Sequence, residues 1–238
     1  MSADPFTGAV AIVTGGSGGI GAAVCSALVA RGARVASLSR SAGPAGTTSV
    51  RCDITSEEDV ARAIREVAES LGAPRLLVCS AGLVSESPVA ELPLAEWRRV
   101  VDVSLTGTFL ACRAAVPLME RAGGGRIVAL SSGYATKGYR NGAHYAAAKA
   151  GIEALVKSLA LEVAESGITV NAVAPGPVET PMLGHFEDGR REQTARLIPQ
   201  GRIGEPDDVV GPVLFLLGPD SRYITGQVLQ VNGGMLMP

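Results

Sequence analysis

Ala9-Val-Ala-Ile-Val-Thr14-Gly-Gly-Ser-Gly-Gly-Ile-Gly21 is the stretch that decides the fold. An apolar, β-branched run passes into a glycine-rich loop and then into a helix-like segment, Ala22 to Arg31. Glycines at such a junction let the backbone turn sharply and approach a pyrophosphate, while the unbonded N–H groups of a helix start attract its charge. A glycine-rich string alone reads equally well as a flexible turn. Placed between the first strand and first helix of a βαβ unit, it becomes a strong signal for a nucleotide phosphate.

Working outward, the same alternation of β-like and helix-like segments continues through the chain. Strands are predicted at Ala9 to Thr14, Arg34 to Leu38, Ser49 to Cys52, Leu76 to Ser80, Arg126 to Ser131, Thr169 to Ala174 and Val228 to Val231. Seven strands with intervening helices predict an α/β fold, a doubly wound parallel sheet with helices on both faces. The clearest helix follows Asp53, where Thr55-Ser-Glu-Glu58 reads as a capping box and Val60, Ile64, Val67 and Leu71 form one apolar stripe. No linker, repeat or low-complexity tract divides residues 1–238, so a single domain is expected. Met182 to Gln200 is more polar, with Gly184, Asp188 and Gly189 breaking any long helix, and is a candidate substrate lid.

The composition of the 238 residues supports this reading, with 47% hydrophobic and 18% charged residues, as suits a sheet covered on both faces. A formal net charge of −2 and the lack of basic runs argue against nucleic acid or an anionic membrane as the main partner. The start, Met1-Ser-Ala-Asp-Pro-Phe, has no basic segment followed by an apolar core, so a cytoplasmic protein is expected. Cys25, Cys52, Cys79 and Cys112 are widely spaced in apolar stretches and read as core residues rather than metal ligands.

Chemistry is suggested by Tyr145-Ala-Ala-Ala-Lys149, whose spacing puts a phenol and an ammonium on one helix face. A fixed cation beside a tyrosine favours the phenolate and would lower its pKa from roughly 10. Thirteen residues upstream of Tyr145, the apolar run from Arg126 delivers Ser132 at its C-terminal end, the sheet edge where open α/β proteins bind ligands. An isolated Tyr-x-x-x-Lys is equally an exposed amphipathic pair, and the rest of the chain decides between the two.

Together with Thr14-Gly15-x-x-x-Gly19-x-Gly21, these residues and Pro175-Gly176 with Thr180, Gly201-Arg-Ile-Gly-Glu-Pro206, Ile224-Thr-Gly226 and Asn232-Gly-Gly234 resemble the short-chain dehydrogenase/reductase family in order and spacing. The resemblance covers nearly the whole chain and is nearest the β-ketoacyl reductase-like branch. It implies a Rossmann-type fold, a nicotinamide cofactor and carbonyl/alcohol redox chemistry. It assigns Tyr145 as proton donor to the carbonyl oxygen, Ser132 as a hydrogen-bond partner of that oxygen, and Lys149 as the group that binds the nicotinamide ribose and tunes the tyrosine.

By the same resemblance, Gly15, Ser17, Gly19 and Ile20 would hold the pyrophosphate, Asp53 and Ile54 the adenine, and Ser80, Ala81 and Gly82 the middle of the cofactor. Pro175, Gly176, Val178 and Thr180 would border the nicotinamide. Relatives that prefer NAD place an acid where Ser39 stands. Here Ser39 is followed by Arg40, which can pair with a 2′-phosphate, so NADP(H) is expected.

Two positions depart from the family. Cys79-Ser80-Ala81-Gly82 replaces Asn-Asn-Ala-Gly, and Ser104 replaces the asparagine that completes the family's catalytic tetrad and holds a proton-relay water. The favoured function is therefore an NADPH-dependent ketoreductase. A secondary-alcohol dehydrogenase, epimerase or imine reductase on the same scaffold is an alternative, and a low-turnover NADP-binding regulator or scaffold is a third. The apolar helices Leu94 to Met119 and Ala143 to Ala164 are those that relatives pair across a two-fold axis, implying a homotetramer.

Overall fold

Strand β1 (Val10–Thr14) shows why the chain forms a layered sheet, because all five of its residues are buried. Val10 and Ile12 enter one apolar cluster while Ala11 and Val13 enter another, the period-two alternation of a strand covered on both faces. The computed structural model describes residues 4–184 and 188–237. In it β2 (Arg34–Ser39), β3 (Thr48–Arg51), β4 (Leu76–Cys79), β5 (Gly125–Leu130), β6 (Ile168–Pro175) and β7 (Val228–Val231) extend the sheet. The order is β3-β2-β1-β4-β5-β6-β7 and each neighbouring pair is parallel. Strand order reverses between β1 and β4, so a crevice opens there beyond the carboxyl ends of the strands.

Helix α1 (Gly19–Ala30) buries Val24 and Leu28 against the face that carries Ala11 and Val13. The opposite face is covered by α2 (Glu57–Leu71), with Val60, Ile64 and Val67 in the cluster around Ile12. A long stretch follows from α3 (Leu94–Val101) through a π turn at Asp102–Thr106 to α4 (Gly107–Arg121). The short α5 (Tyr134–Lys137) precedes α6 (Ala143–Val163), which packs on the same face as α2. Helix α7 (Asp188–Arg196) lies in the segment expected to form a lid, and α8 (Pro206–Leu217) joins α1 on the other face. Fully burying one such Ile or Leu contributes about 1.5–3 kcal/mol.

Two local features differ from the sequence expectations. The N-cap of α2 is Ser56, whose side chain accepts from the Asp59 amide, whereas Thr55 bonds the Asp53 carboxylate. The helix predicted from Leu94 is interrupted by one π turn, which shifts the register of the residues after it. The whole stretch Leu94–Arg121 is long and apolar enough to span a bilayer, although Arg98, Arg99, Asp102 and Arg113 punctuate it. Its buried residues, including Val100, Leu110, Ala115 and Met119, pack within the protein, which accounts for its apolarity.

Candidate active site

At the end of β1 the chain must turn at once into α1. Gly15 has φ +68°, and a Cβ there would fall 2.8 Å from the Ala81 Cα, so only glycine allows the two loops to touch. The N-cap of α1 is Gly18, with no side chain to cap the first turn and no acidic residue in that turn. Its leading amides therefore form a cradle for an anion. A Cβ at Gly18 would meet nothing within 4 Å, whereas one at Gly19 would lie 3.2 Å from the Thr180 Cγ2. The glycine loop thus meets the loop after β6 while leaving room beside the helix start.

A cavity of about 710 Å³ runs over the carboxyl edge of the sheet. Gly15, Ser17, Gly19 and Ile20 line it at the α1 end, and Ser39, Arg40, Asp53 and Ile54 at the ends of β2 and β3. Ser80, Ala81 and Gly82 line its centre after β4, while Pro175, Gly176, Val178 and Thr180 border it after β6. Ser132, Tyr145 and Lys149 stand in the same cavity. Every cofactor-binding and catalytic residue expected from the sequence is therefore gathered at one site, with the exception of Ser104.

Ser39 accepts a hydrogen bond from the Ser17 amide at 3.2 Å, which ties the β2 end to the glycine loop. Asp53 accepts from the Thr55 amide at 3.0 Å and the Thr55 hydroxyl at 2.8 Å, and these bonds hold its carboxyl below the usual carboxylate range. Arg40 is exposed at the cavity and its charge contributes a smaller lowering at Asp53. A cradle of helix-start amides, a hydroxyl and a guanidinium at the ribose end, and the Ser132 and Tyr145 hydroxyls at the other end fit a nicotinamide dinucleotide.

The reacting end is built on β5 and α6. The Ser131 hydroxyl donates to Glu153 Oε1 at 2.7 Å and lies 3.3 Å from the Lys149 carbonyl oxygen, fixing α6 against the end of β5. Ser132 accepts from the Tyr134 amide at 3.2 Å and stands in the same cavity as the Tyr145 phenol. Ser132, Tyr145 and Lys149 are only 5%, 8% and 4% exposed, so all three act in a largely water-excluded pocket. Burial pushes the Tyr145 phenol up, while the Ser132 hydroxyl pulls it back in part. The lowering expected from Lys149 is not what dominates here. Its ammonium lies 5.8 Å from the Tyr145 ring centroid and donates to the Leu130 carbonyl oxygen at 2.6 Å. Burial brings Lys149 itself down to about 8.

Ser104 does not line the cavity; it lies just behind it on the π turn, fully buried. Among the described residues no group hydrogen-bonds its hydroxyl. A Cβ built on Gly82 would lie 3.7 Å from the Ser104 Oγ and 3.5 Å from the Lys149 Nζ. Glycine at position 82 thus leaves a gap between the hydroxyl and the ammonium.

Two groups escaped the sequence reading. Tyr139, which lines the cavity, packs its ring against Tyr134 and Tyr145. His144 is fully buried, with Nε2 2.8 Å from the Ser85 hydroxyl, which in turn bonds Glu96. Hydrogen bonds from Arg99 and Ser85 bring Glu96 down to about 2. Neither arrangement has a signature at fixed spacing.

A family model described as enoyl-(acyl carrier protein) reductase matches residues 15–236. The chain is 36% identical over 239 residues to a 3-oxoacyl-[acyl-carrier-protein] reductase of Vibrio harveyi, a match covering 97% of this chain and 98% of the relative. It is also 36% identical over 234 residues to the reductase of that description from Mycobacterium tuberculosis, covering 98% and 95% respectively. Among solved structures, the ligand-free aldohexose dehydrogenase of Thermoplasma acidophilum superposes with a TM-score of 0.93 at 32% identity, covering 98% of this chain and 96% of that one. With matches of this extent, the chain belongs to the short-chain dehydrogenase/reductase family and is an oxidoreductase acting on CH–OH/C=O groups.

Proposed function

We propose that the protein is an NADPH-dependent ketoreductase that converts a ketone to a secondary alcohol. The observation that carries this reading is that Ser132, Tyr145 and Lys149 are buried together in the same cavity as the glycine cradle. When bound, the dinucleotide supplies the hydride. Ser132 holds the substrate oxygen, and Tyr145, kept protonated by burial, passes its phenolic proton to that oxygen as negative charge develops there. Lys149 carries positive charge beside the ribose position and the phenol.

Arg40 beside Ser39, with no acid at the end of β2, supports NADPH over NADH. The bacterial relatives are reductases, which supports the direction of reduction. The Thermoplasma acidophilum neighbour is a dehydrogenase, which favours a second reading, oxidation of a secondary alcohol at the same site. Following nicotinamide absorbance with a panel of ketones and alcohols decides between them. Turnover of alcohols with NAD and none of ketones with NADPH would reject the first reading.

Residues 182–200 serve this single domain as a substrate lid; of them, 185–187 lie outside the described residues. The protein works in the cytoplasm as a homotetramer. Exposed large apolar side chains support the assembly, among them Leu94, Phe109 and Leu161 on the helices expected to pair, and Phe215, Leu229 and Met237 elsewhere. Leu161 is 84% exposed and has little reason to be leucine on a monomer. Sedimentation at 24.2 kDa in the micromolar range would reject the assembly.

A further inference from the structure

The Tyr139 ring is held by several separate contacts. One face stacks on Tyr134 with centroids 4.3 Å apart and planes 18° from parallel. Its edge meets Tyr145 at 6.1 Å and 72°. A Cβ on Gly142 would fall 2.1 Å from its Cδ1, so glycine at position 142 lets the ring approach the backbone this closely. The phenol hydrogen-bonds Glu86, and Arg190 on α7 donates to both Glu86 oxygens, at 3.0 Å and 2.5 Å, and to the Tyr139 oxygen at 3.3 Å. A half-exposed tyrosine needs none of this merely to be buried.

Tyr134 and Tyr139 both line the cavity that contains Ser132 and Tyr145, so one wall beside the reacting oxygen is a fixed pair of aromatic rings. Such a wall rewards a ligand with a π face, because ring pairs gain energy beyond the area they bury. It gives less to a flexible acyl chain, which must lose rotamer freedom against a surface that does not adapt to it. Three arginines near this end are engaged with carboxylates, Arg190 with Glu86, Arg191 with Glu179 and Arg99 with Glu96. Their charge is thereby largely spent within the chain and offers little to an acidic carrier. Lys137 at the end of α5 and Arg140 on the turn before α6 are exposed, so a carrier-tethered substrate is the competing outcome.

We propose that the substrate is a ketone within, or conjugated to, a flat ring system, which lies along the wall formed by Tyr134 and Tyr139 with its oxygen at Ser132 and Tyr145. This deepens the reductase reading and rests on it. Tyr139 acts as a positioning residue for Tyr134, while Tyr134 determines specificity.

The test compares 2-tetralone, its saturated counterpart trans-2-decalone, and an acetoacetyl thioester presented both on N-acetylcysteamine and on an acyl carrier protein, each with NADPH. The expected result is a kcat/KM for 2-tetralone about tenfold above the other three, near the upper end of what aromatic contacts supply. Tyr134→Leu should shrink that preference to within about threefold and Tyr134→Phe, which keeps the ring, should restore it. Equal or better turnover of decalone or of either thioester would overturn the proposal and leave the reductase reading intact. If no ketone is reduced although NADPH binds, the reductase reading fails. Calorimetric titration of 2-tetralone and decalone into the NADP-loaded protein then still decides the wall, with equal affinities overturning it.

Discussion

The Lys149 ammonium donates to the Leu130 carbonyl oxygen at 2.6 Å, anchoring α6 to the end of β5 through a buried charge. This charge sets activity against stability as pH rises. Burial lowers Lys149 from 10.5 to about 8, so above about 8 the folded protein releases a proton that the unfolded chain keeps up to 10.5. Between those limits the unfolded state binds more protons, and the contribution of this group to stability rises with pH. The ammonium proposed to hold ribose and phenol is lost over the same range. Wild-type kcat/KM for reduction should therefore fall as pH passes about 8, while chemical denaturation shows stability rising relative to Lys149→Met. Parallel stability curves for the two proteins from pH 7 to pH 10 would refute the buried-charge account.

Tyr145→Phe should retain cofactor binding and lose at least about a hundredfold in turnover, the lower end of a general-acid contribution. Burial raises the phenol and keeps it protonated, so its loss removes the proposed proton donor while the ring keeps its contact with Tyr139. Cofactor titration by fluorescence and steady-state rates on the same preparation check this. Near-normal turnover on an accepted ketone would remove Tyr145 from the assigned role.

The seven strands were legible because most are apolar runs between turn signals, and no end moved by more than one residue. The convergence of the expected cofactor residues on one cavity was legible for a related reason, since most occupy loops at the carboxyl ends of strands and keep family spacing. What stayed hidden depends on contacts far apart in sequence. Glu86, Tyr139 and Arg190 come from three separate loops or helices, and Ser85 reaches His144 across 59 residues. The π turn at Asp102–Thr106 was hidden because an extra residue in one turn barely disturbs the apolar stripe on either side. The expected lowering of Tyr145 by Lys149 followed from helical spacing alone, which carries no information about burial; burial proved the larger effect.

Arg40→Ala should weaken NADPH by about 1.5 kcal/mol, roughly tenfold and the low end of a charge-assisted hydrogen bond, and leave NADH almost unchanged. The low end applies because Arg40 is exposed and already interacts with the ionised Asp53. Titration with both cofactors measures the difference directly. Equal losses for the two, or a wild-type preference for NADH, would mean that Arg40 does not read the 2′-phosphate.

Ser104 is where the chain departs from its family at a catalytic position, and its buried hydroxyl has no partner among the described residues. A buried hydroxyl left unbonded costs about 1–3 kcal/mol, so Ser104→Ala should unfold at a higher temperature than wild type if the hydroxyl is truly unsatisfied. If instead the hydroxyl steadies a water on the path from Lys149, Ser104→Ala should be no more stable and modestly slower. Ser104→Asn separates the remaining possibilities. The gap left by Gly82 between the Ser104 Oγ and the Lys149 Nζ gives a longer amide room to reach the ammonium side, so activity is expected to hold or improve. Overpacking at this fully buried position would instead cost about 1–3 kcal/mol and show as a lowered unfolding temperature. Turnover and thermal unfolding measured on both variants resolve these outcomes. A Ser104→Asn protein as stable as wild type yet much slower would reject the idea of a relay weakened by serine, and would place the serine hydroxyl itself in the proton path.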